Sequence, residues 1–178
     1  MSELSYDEFQ RLKREYDEIV KNKQSIQDKW EDIGTDCWGC GKNNEHGLQI
    51  KSCWIGDEAI CIWQPKHYHL ALSGILNGGI IATVMDCHCL NTANAWAYSD
   101  LINGTIPEGQ EPDTQPPPYL TGSFQIKYLR PTPIEKPILL RARVKEKEGR
   151  KITVTCSLFS EGIEEECAHM EFVAVSVF

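Results

Sequence analysis

The stretch LNGGIIATVMDCHCLNTANAWAY, residues 76–98, decides the fold of this chain. The predicted helix in this stretch begins at the pair Gly78-Gly79, and Asp86 is the only formally charged residue of the stretch. Apolar residues occur on nearly every side of the predicted helix. Because such a helix has no polar face to present to water, the rest of the chain must surround it.

Alternating apolar and polar residues predict strands on both sides of this helix. Two predicted strands precede it and four follow it, and the last four are separated by short turns, which indicates antiparallel pairing. The predicted strands are 48–54, 60–62, 123–128, 138–145, 152–158 and a last one that runs through Phe172 to Val177. We therefore expect an α+β fold in which an antiparallel sheet curls around one long helix.

Two segments lie outside this pattern. Residues 5–30 carry apolar residues at helical spacing among mixed charges, which predicts one or two amphipathic helices packed on the body. We divide the chain into an N-terminal helical extension, 1–36, and a main domain, 37–178. The connection 99–118 holds five of the nine prolines, and such a segment is usually a functional lid or disordered.

Composition narrows the possible partners. The 178 residues contain 18 Lys and Arg against 26 Asp and Glu, a formal charge of −8, which argues against nucleic acid or an anionic membrane surface as partner. No apolar run is long enough to span a bilayer, and the charged N-terminus is unlike a secretory signal. We expect a cytoplasmic location with the eight cysteines reduced, most of them as small buried apolar groups.

Asp86 is the first candidate functional residue. An ionised carboxylate buried without partners costs several kcal/mol, so Asp86 must be paired, protonated or placed at a pocket. We favour a functional carboxylate over a structural one that is hydrogen-bonded to a neighbour. The unpaired amides at the Gly78-Gly79 helix start could bind a developing oxyanion, although for the glycine pair taken alone a tight helix entry is the favoured interpretation.

The spacing of these two features constrains any mechanism that uses both. Eight residues separate Gly78 from Asp86, which is about 12 Å along a helix. They cannot act on one carbonyl group within a single chain. If both are catalytic, Asp86 must meet the Gly78 amide of another subunit, so the hypothesis predicts a dimer.

Three motifs in this order resemble the hotdog-fold thioesterases of the PaaI-like, phenylacetate-pathway group. They are Cys37-Trp38-Gly39-Cys40-Gly41 with the residues up to Leu48, Leu76-Asn77-Gly78-Gly79 with Asp86, and FQIKYLRP at 124–131. The resemblance implies a hotdog fold with an extra N-terminal helix and hydrolysis of an acyl-CoA thioester. It also implies a homodimer with a continuous sheet, or a dimer of such dimers, and no cofactor apart from the CoA of the substrate.

The resemblance also implies roles for individual residues. Gly78 would be the oxyanion donor, and Asp86 of the neighbouring subunit would be the general base or the nucleophile. Asn77 stands where the family usually has His; it can replace a His that only orients the thioester, but it cannot titrate near neutral pH. The other residues that we expect at the substrate are Leu76, Gly79, Ser73, Ser123, Lys127 and Arg130. A non-catalytic acyl-CoA or acyl-binding protein is the alternative, favoured by Asn77.

Other chemical motifs are weaker. Cys37 and Cys40 form a C-x-x-C that could bind zinc, but it needs two further ligands and only His46 is near in sequence. We expect reduced structural thiols there and no metal. Cys87 and His88 follow Asp86 directly, and adjacent residues on a helix point in different directions, so neither a Cys–His nucleophile nor a hydratase-type His–Asp pair is expected.

Overall fold

The structure is a computed structural model, and it describes residues 3–30, 34–98 and 118–177. The helices are α1 (Tyr6–Lys21), α2 (Ile26–Lys29) and α3 (Gly78–Ala97), with a 3-10 turn at His67–His69. The strands are β1 (Cys53–Ile55), β2 (Glu58–Trp63), β3 (Tyr119–Tyr128), β4 (Ile138–Glu148), β5 (Lys151–Ser160) and β6 (Ile163–Ser176). The predicted order of two strands, a long helix and four strands is confirmed.

One antiparallel sheet contains all six strands, in the order β1-β2-β4-β5-β6-β3. Alternate residues of the central strands are buried on the face that α3 covers, as the period of two predicts. The apolar residues of the alternating pattern in β4 and β5 all belong to this core or pack against it; they are Ile138, Leu140, Ala142, Val144, Ile152, Val154, Cys156 and Leu158.

Helix α1 covers part of the opposite face of the sheet. Its buried residues Phe9, Leu12 and Tyr16 pack in a second cluster with Ile60 and Phe159. The Ser5 side chain caps the helix by accepting a hydrogen bond from the Glu8 amide. The sheet is therefore enclosed between α1 and α3, which confirms the α+β fold class with an additional N-terminal helix.

The first predicted strand is wrong in its extent. Leu48 and Ile50 are buried in the core, but β1 includes only Cys53–Ile55. Gln49 has φ of 49°, a left-handed conformation that an extended strand cannot contain. The Leu48 and Ile50 amides bond to the carbonyls of Trp38 and Gly39, so this segment is tied to the C-x-x-C motif instead of a strand.

Strand β3 lies at the edge of the sheet and carries an extra residue. Its pairing with β6 shifts between Thr121 and Ser123, which leaves Gly122 as a β-bulge. A Cβ at Gly122 would lie 2.5 Å from Val175 Cγ2, so the bulge fits glycine. Because the bulge reverses the alternation, Thr121 lies on the α3 side of the sheet together with Phe124 and Tyr128, whose β6 partners are buried.

Two further predictions, the role of the connection 99–118 and the division of the chain at residue 36, are not tested by the described residues. Nearly all of the proline-rich connection, 99–118, lies outside the described residues, so its two alternatives stay open. The division of the chain at residue 36 also stays a prediction. Within the described ranges, no helix is both long enough and apolar enough to cross a membrane.

Candidate active site

Asp86 lies half-buried on α3 in the wall of a cavity of about 250 Å³, called here the Asp86 cavity. Its carboxylate accepts a 2.9 Å hydrogen bond from the Thr121 hydroxyl on β3. Burial raises the pKa of Asp86, and the bond from Thr121 opposes that rise. The carboxylate is therefore held in one orientation, partly desolvated and open to a cavity, as a general base or nucleophile requires.

The remaining wall of the Asp86 cavity is mostly apolar. Side chains from the N-terminal segment, from α3 and from the start of β3 line it, among them Trp30, Leu90, Tyr98, Tyr119 and Leu120. The Trp30 and Tyr98 rings are perpendicular to each other, with 6.3 Å between the ring centroids. Such a cavity, apolar with a few polar groups, is the usual form of a small-molecule site.

The start of α3 is organised by Asn77. Its side-chain oxygen accepts hydrogen bonds from the amides of Gly79, at 2.8 Å, and Ile80, at 3.3 Å, so Asn77 is the N-cap of the helix. In the part of the chain that the structure describes, the Gly78 amide has no hydrogen-bond partner. Of the two glycine amides, only that of Gly78 is free to bind a ligand, and the positive end of the helix dipole lies beside it.

Tyr128 fixes the same helix end to β3. Its hydroxyl donates a 2.8 Å hydrogen bond to the Gly78 carbonyl. An open groove of about 370 Å³, called here the Gly78 groove, runs past this contact and is lined also by Leu76, Arg130 and Thr132. Gly78 thus lines a groove that is separate from the Asp86 cavity.

Gly78 and Asp86 do not meet within one chain. Helix α3 is continuous between them, so eight residues separate them by about 12 Å along its axis. They also line two different cavities. Each chain therefore has Asp86 at one cavity and Gly78 at another, and neither cavity contains both members of the expected catalytic pair.

The other predicted site residues are dispersed. Leu76 is buried and Arg130 half-buried in the Gly78 groove, where the Arg130 guanidinium lies 3.4 Å from the Glu165 carboxylate. Ser73 lines a separate surface pocket beside Pro65. Ser123 and Lys127 are exposed on the face of β3 that points away from α3, because their β6 partners alternate with the buried ones.

Asp86, Cys87 and His88 point to different places, as their helical spacing predicts. His88 is fully buried, and its ring nitrogens lie 2.8 Å from Ser52 Oγ and 3.1 Å from the Ala59 carbonyl oxygen. Burial lowers its pKa to about 4. His88 is a neutral core residue directed away from Asp86, which argues against a hydratase-type pair.

The thiol of Cys87 lies next to the C-x-x-C motif. Its Sγ is 3.8 Å from Cys37 Sγ, and Cys40 Sγ joins the same group. The contact with Cys87, supported by the amides of Cys40 and Gly39, lowers the pKa of the Cys37 thiol against the effect of burial. All three cysteines line the Asp86 cavity.

Comparison with known proteins then identifies the family. The model of the family "Thioesterase superfamily" matches residues 73–167, more than half of the chain, and these residues include all of α3. The chain belongs to the thioesterase superfamily.

Solved structures of this superfamily share the fold. A thioesterase superfamily protein from Shewanella loihica is 30% identical with a TM-score of 0.54; the match covers 77% of this chain and 98% of that one. The PaaI protein of the phenylacetic acid degradation operon of E. coli is 12% identical with a TM-score of 0.57, over 74% of this chain and 81% of that one. The expected hotdog fold and thioesterase family are confirmed.

Two proteins that are similar to this chain in sequence are longer than it. The rat protein named acyl-coenzyme A thioesterase THEM4 is 24% identical over 137 residues, which are 75% of this chain and 50% of that protein. A Xenopus laevis protein of the same name is also 24% identical, over 53% of its length. The chain spans about half the length of these relatives.

Sequence reasoning missed three residues around the site of this superfamily member. The position of Thr121 could not be predicted, because simple alternation from Ser123 places its side chain on the face away from α3 and the bulge at Gly122 reverses this. Tyr128 was included in the 124–131 motif and in a predicted strand, but no contact with the helix start was predicted for it. Cys87 was considered only as a partner of His88, and no signal linked it to the C-x-x-C motif, from which 46 residues or more separate it.

Proposed function

We propose that this chain is an acyl-CoA thioesterase in which Asp86 acts on the thioester carbonyl. The observation that carries the proposal is Asp86 itself, a partly desolvated carboxylate on the central helix, held by Thr121 at the wall of an apolar cavity. Membership of the thioesterase superfamily supports the reaction class. Relatives named acyl-coenzyme A thioesterases support the substrate class.

The reaction needs one water molecule and one carboxylate. As general base, Asp86 takes a proton from water while the water oxygen bonds to the carbonyl carbon. The tetrahedral intermediate then collapses, the carbon–sulfur bond breaks, and the proton passes from Asp86 to the leaving CoA sulfur. As nucleophile, Asp86 would itself bond to the carbonyl carbon, expel CoA and form an acyl anhydride that water hydrolyses. Either route develops negative charge on the carbonyl oxygen.

The Gly78 amide of a second subunit stabilises that charge in our proposal. This amide is free in the described residues, whereas the Gly79 amide is committed to Asn77. The separation of Gly78 from Asp86 along α3 prevents them from serving one carbonyl in the same chain. Asn77 retains its side-chain N–H groups as further donors toward the thioester.

A homodimer formed through β3 would bring the two halves together. In the described chain β3 pairs only with β6, so the hydrogen-bonding groups of its outer edge are available beyond Tyr119, whose own N–H and C=O are bonded to the Asn94 side chain. Its α3-side face exposes Phe124 and Tyr128, of which 43% and 52% of the surface is accessible. A long apolar edge of this kind is an aggregation hazard unless another strand covers it, and a second copy of β3 would do so.

The two ends of the substrate have different candidate contacts. We assign the acyl group to the Asp86 cavity, because its wall is mostly apolar. Lys127 and Arg130 are our candidates for the CoA phosphates, and Arg130 lies in the Gly78 groove. In our proposal, no cofactor other than the CoA of the substrate takes part in this reaction. The proposal also includes the pairing of two dimers into a tetramer through another surface.

Hydrolysis of an acyl-CoA panel by wild type and by Asp86→Asn tests the proposal. We expect CoA release by wild type and a loss of at least about 1,000-fold in kcat for the variant, since Asn cannot accept the proton. Asp36→Asn is a matched control, because Asp36 is exposed and lies outside the Asp86 cavity. Equal turnover by wild type and Asp86→Asn would remove Asp86 from the mechanism.

One observation favours a second candidate, a non-catalytic acyl-CoA or acyl-binding protein. The residue before the glycine pair is Asn77, whose oxygen is occupied in capping α3 and which cannot titrate near neutral pH. Native mass spectrometry of the purified protein distinguishes the two functions. A stoichiometric acyl or acyl-CoA ligand that stays intact for hours would support the binder.

A further inference from the structure

Three thiols from two distant parts of the sequence converge beside Asp86. Cys37 and Cys40 come from the C-x-x-C motif, and Cys87 comes from the middle of α3. We propose that Cys37, Cys40 and Cys87 form a zinc site with three thiolate ligands. The expectation of no metal rested on the two cysteines of the motif and His46, and it did not include Cys87.

The sulfur positions match the geometry of tetrahedral zinc. All three Sγ atoms lie within 4.8 Å of one another, and Cys37 Sγ is 3.8 Å from Cys87 Sγ. Zinc–sulfur bonds of about 2.3 Å at tetrahedral angles place two sulfur atoms about 3.8 Å apart. Binding needs little movement of the backbone, since the ligands are already gathered.

The C-x-x-C segment is built to bring these thiols together. Gly39 faces Cys87, and a Cβ at this position would collide with Cys87 Sγ. A Cβ at Gly41, directly after the motif, would lie 2.5 Å from the Cys37 nitrogen. The Gly41 amide closes the turn by donating a 2.8 Å hydrogen bond to the Cys37 carbonyl. A side chain at Gly39 would push the motif away from α3, and one at Gly41 would disrupt the turn itself.

Asn91 supplies the outer contact that metal ligands usually have. Its side-chain amide donates to Cys40 Sγ at 3.4 Å and to the Cys87 carbonyl at 2.8 Å. A hydrogen bond to a thiolate stabilises its negative charge and orients the sulfur. Asn91 therefore connects two of the three ligand residues from one turn further along α3.

The fourth coordination position faces the Asp86 cavity. Within the described residues, no fourth Cys, His or carboxylate belongs to the group. The three cysteines and Asp86 line the same cavity, so a water molecule or another small ligand from this cavity completes the tetrahedron. Binding replaces three thiol protons by one Zn²⁺ and leaves a net charge of −1 on the three-thiolate centre.

The role that this geometry gives the metal is to fix a wall of the cavity. It clamps the C-x-x-C segment onto α3 at Cys87, which is adjacent to Asp86. This inference does not depend on thioester hydrolysis, since a non-catalytic binder would need the same wall.

Metal analysis of the full chain tests the site directly. The protein is purified without chelators from cells grown with added zinc, and the metal is counted by mass spectrometry. We expect about one zinc per chain in wild type and at least about 100-fold weaker zinc binding in Cys87→Ala, measured by competition with a chelator. Cys53→Ala is the matched control, because Cys53 is buried against α1 and lies outside the thiol group.

A second measurement avoids variants that fail to fold. Anaerobic titration of the metal-free wild type with Co²⁺ should produce the charge-transfer absorption of cobalt–thiolate bonds and the intense visible bands of tetrahedral cobalt. Weak octahedral bands alone would overturn the proposal. So would a Cys37–Cys87 disulfide that persists in metal-free protein kept under reducing conditions, unchanged zinc binding by Cys87→Ala, or an equal loss of zinc in Cys53→Ala.

Discussion

The Thr121 hydroxyl donates a 2.9 Å hydrogen bond to the Asp86 carboxylate and thereby joins the edge strand of the sheet to its central helix. Asp86 has no other hydrogen-bond donor among the described residues. Thr121 therefore sets the orientation of the carboxylate, and the strand that we place at the dimer interface also positions the proposed catalytic residue.

Replacing this hydroxyl should affect the reaction more than the fold. Thr121→Val keeps the shape and β-propensity of an exposed strand residue but removes the donor. We expect kcat/KM for acyl-CoA to fall about 10- to 100-fold, because a hydrogen bond to a charged group contributes about 1.5–3 kcal/mol. Thr121→Ser retains the hydroxyl and should stay within about threefold of wild type. Equal activity of all three proteins would contradict a positioning role.

Gly78 permits a test for an active site shared by two subunits. Gly78→Pro removes the N–H at the first helical position, where proline is tolerated, and Asn77 before it is already extended. We expect this variant to fold and to lose activity at least about 100-fold. Gly78→Ala is the control, since its Cβ would make an ordinary 3.5 Å contact with the Tyr128 ring.

Mixed dimers then discriminate between the two arrangements. Subunits of Gly78→Pro and Asp86→Asn, unfolded together and refolded, should regain about a quarter of wild-type activity if each site takes one residue from each chain. Half of the dimers would be mixed, and each mixed dimer would hold one intact site. No recovery of activity by properly refolded mixed dimers would place both residues in the same subunit.

Asn77 allows helix capping to be separated from catalysis. Asn77→Asp keeps an oxygen that accepts from the Gly79 and Ile80 amides, but it adds negative charge beside the proposed oxyanion position. We expect unchanged thermal stability and a fall of at least about tenfold in kcat/KM. Asn77→Ala, in contrast, should lower the free energy of unfolding by about 1 kcal/mol through loss of the cap. Full activity of Asn77→Asp would mean that the thioester carbonyl binds elsewhere.

The edge strand gives a prediction about assembly. Phe124→Lys places a charge on the exposed apolar face of β3, where two copies would oppose like charges. We expect light scattering to show a dimer for wild type and a monomer of low activity for this variant. Gln125→Lys, on the other face of the same strand, should stay dimeric. A variant at Phe124 that remains a fully active dimer would exclude this surface.

His69 predicts how stability depends on pH. Its ring is buried and stacks on Trp63 with 5.0 Å between centroids, and Nδ1 accepts a 3.0 Å bond from the Lys66 amide. Burial, with the charge of Lys66, lowers the pKa of His69 below that of the unfolded chain. The unfolded state therefore binds the proton more readily below about pH 6.5.

The free energy of unfolding should consequently fall as the pH drops from about 6.5 toward the pKa of His69 in the folded protein. The contribution is fully present above that range. Denaturant titrations at several pH values should show a weaker dependence for His69→Gln. His67→Gln, at an exposed position of the same 3-10 turn, should behave like wild type. An identical slope for wild type and His69→Gln would refute the assignment.

Local patterns predicted most of the fold, because strand alternation and the apolar helix are short-range features. The core residues of β4 and β5 and the isolation of Asp86 on α3 could be read directly from the sequence. The strand over 48–54 was wrong because the left-handed backbone at Gln49 has no reliable signal in a residue other than glycine or asparagine. Contacts that depend on tertiary structure, such as Cys87 with Cys37, could not be derived from spacing.

The bulge at Gly122 divides β3 into two parts, and in each part the side chains alternate between the two faces of the sheet independently of the other part. Deleting this one residue would leave Phe124 and Tyr128 facing α3 but would turn Thr121 and Tyr119 to the opposite face, without changing any of those side chains. Tyr119 would leave the core, and the Asp86 carboxylate would lose its donor. The number of residues between the two parts of the strand is thus itself a functional property, and an insertion or deletion there should be far more damaging than most substitutions in the same strand.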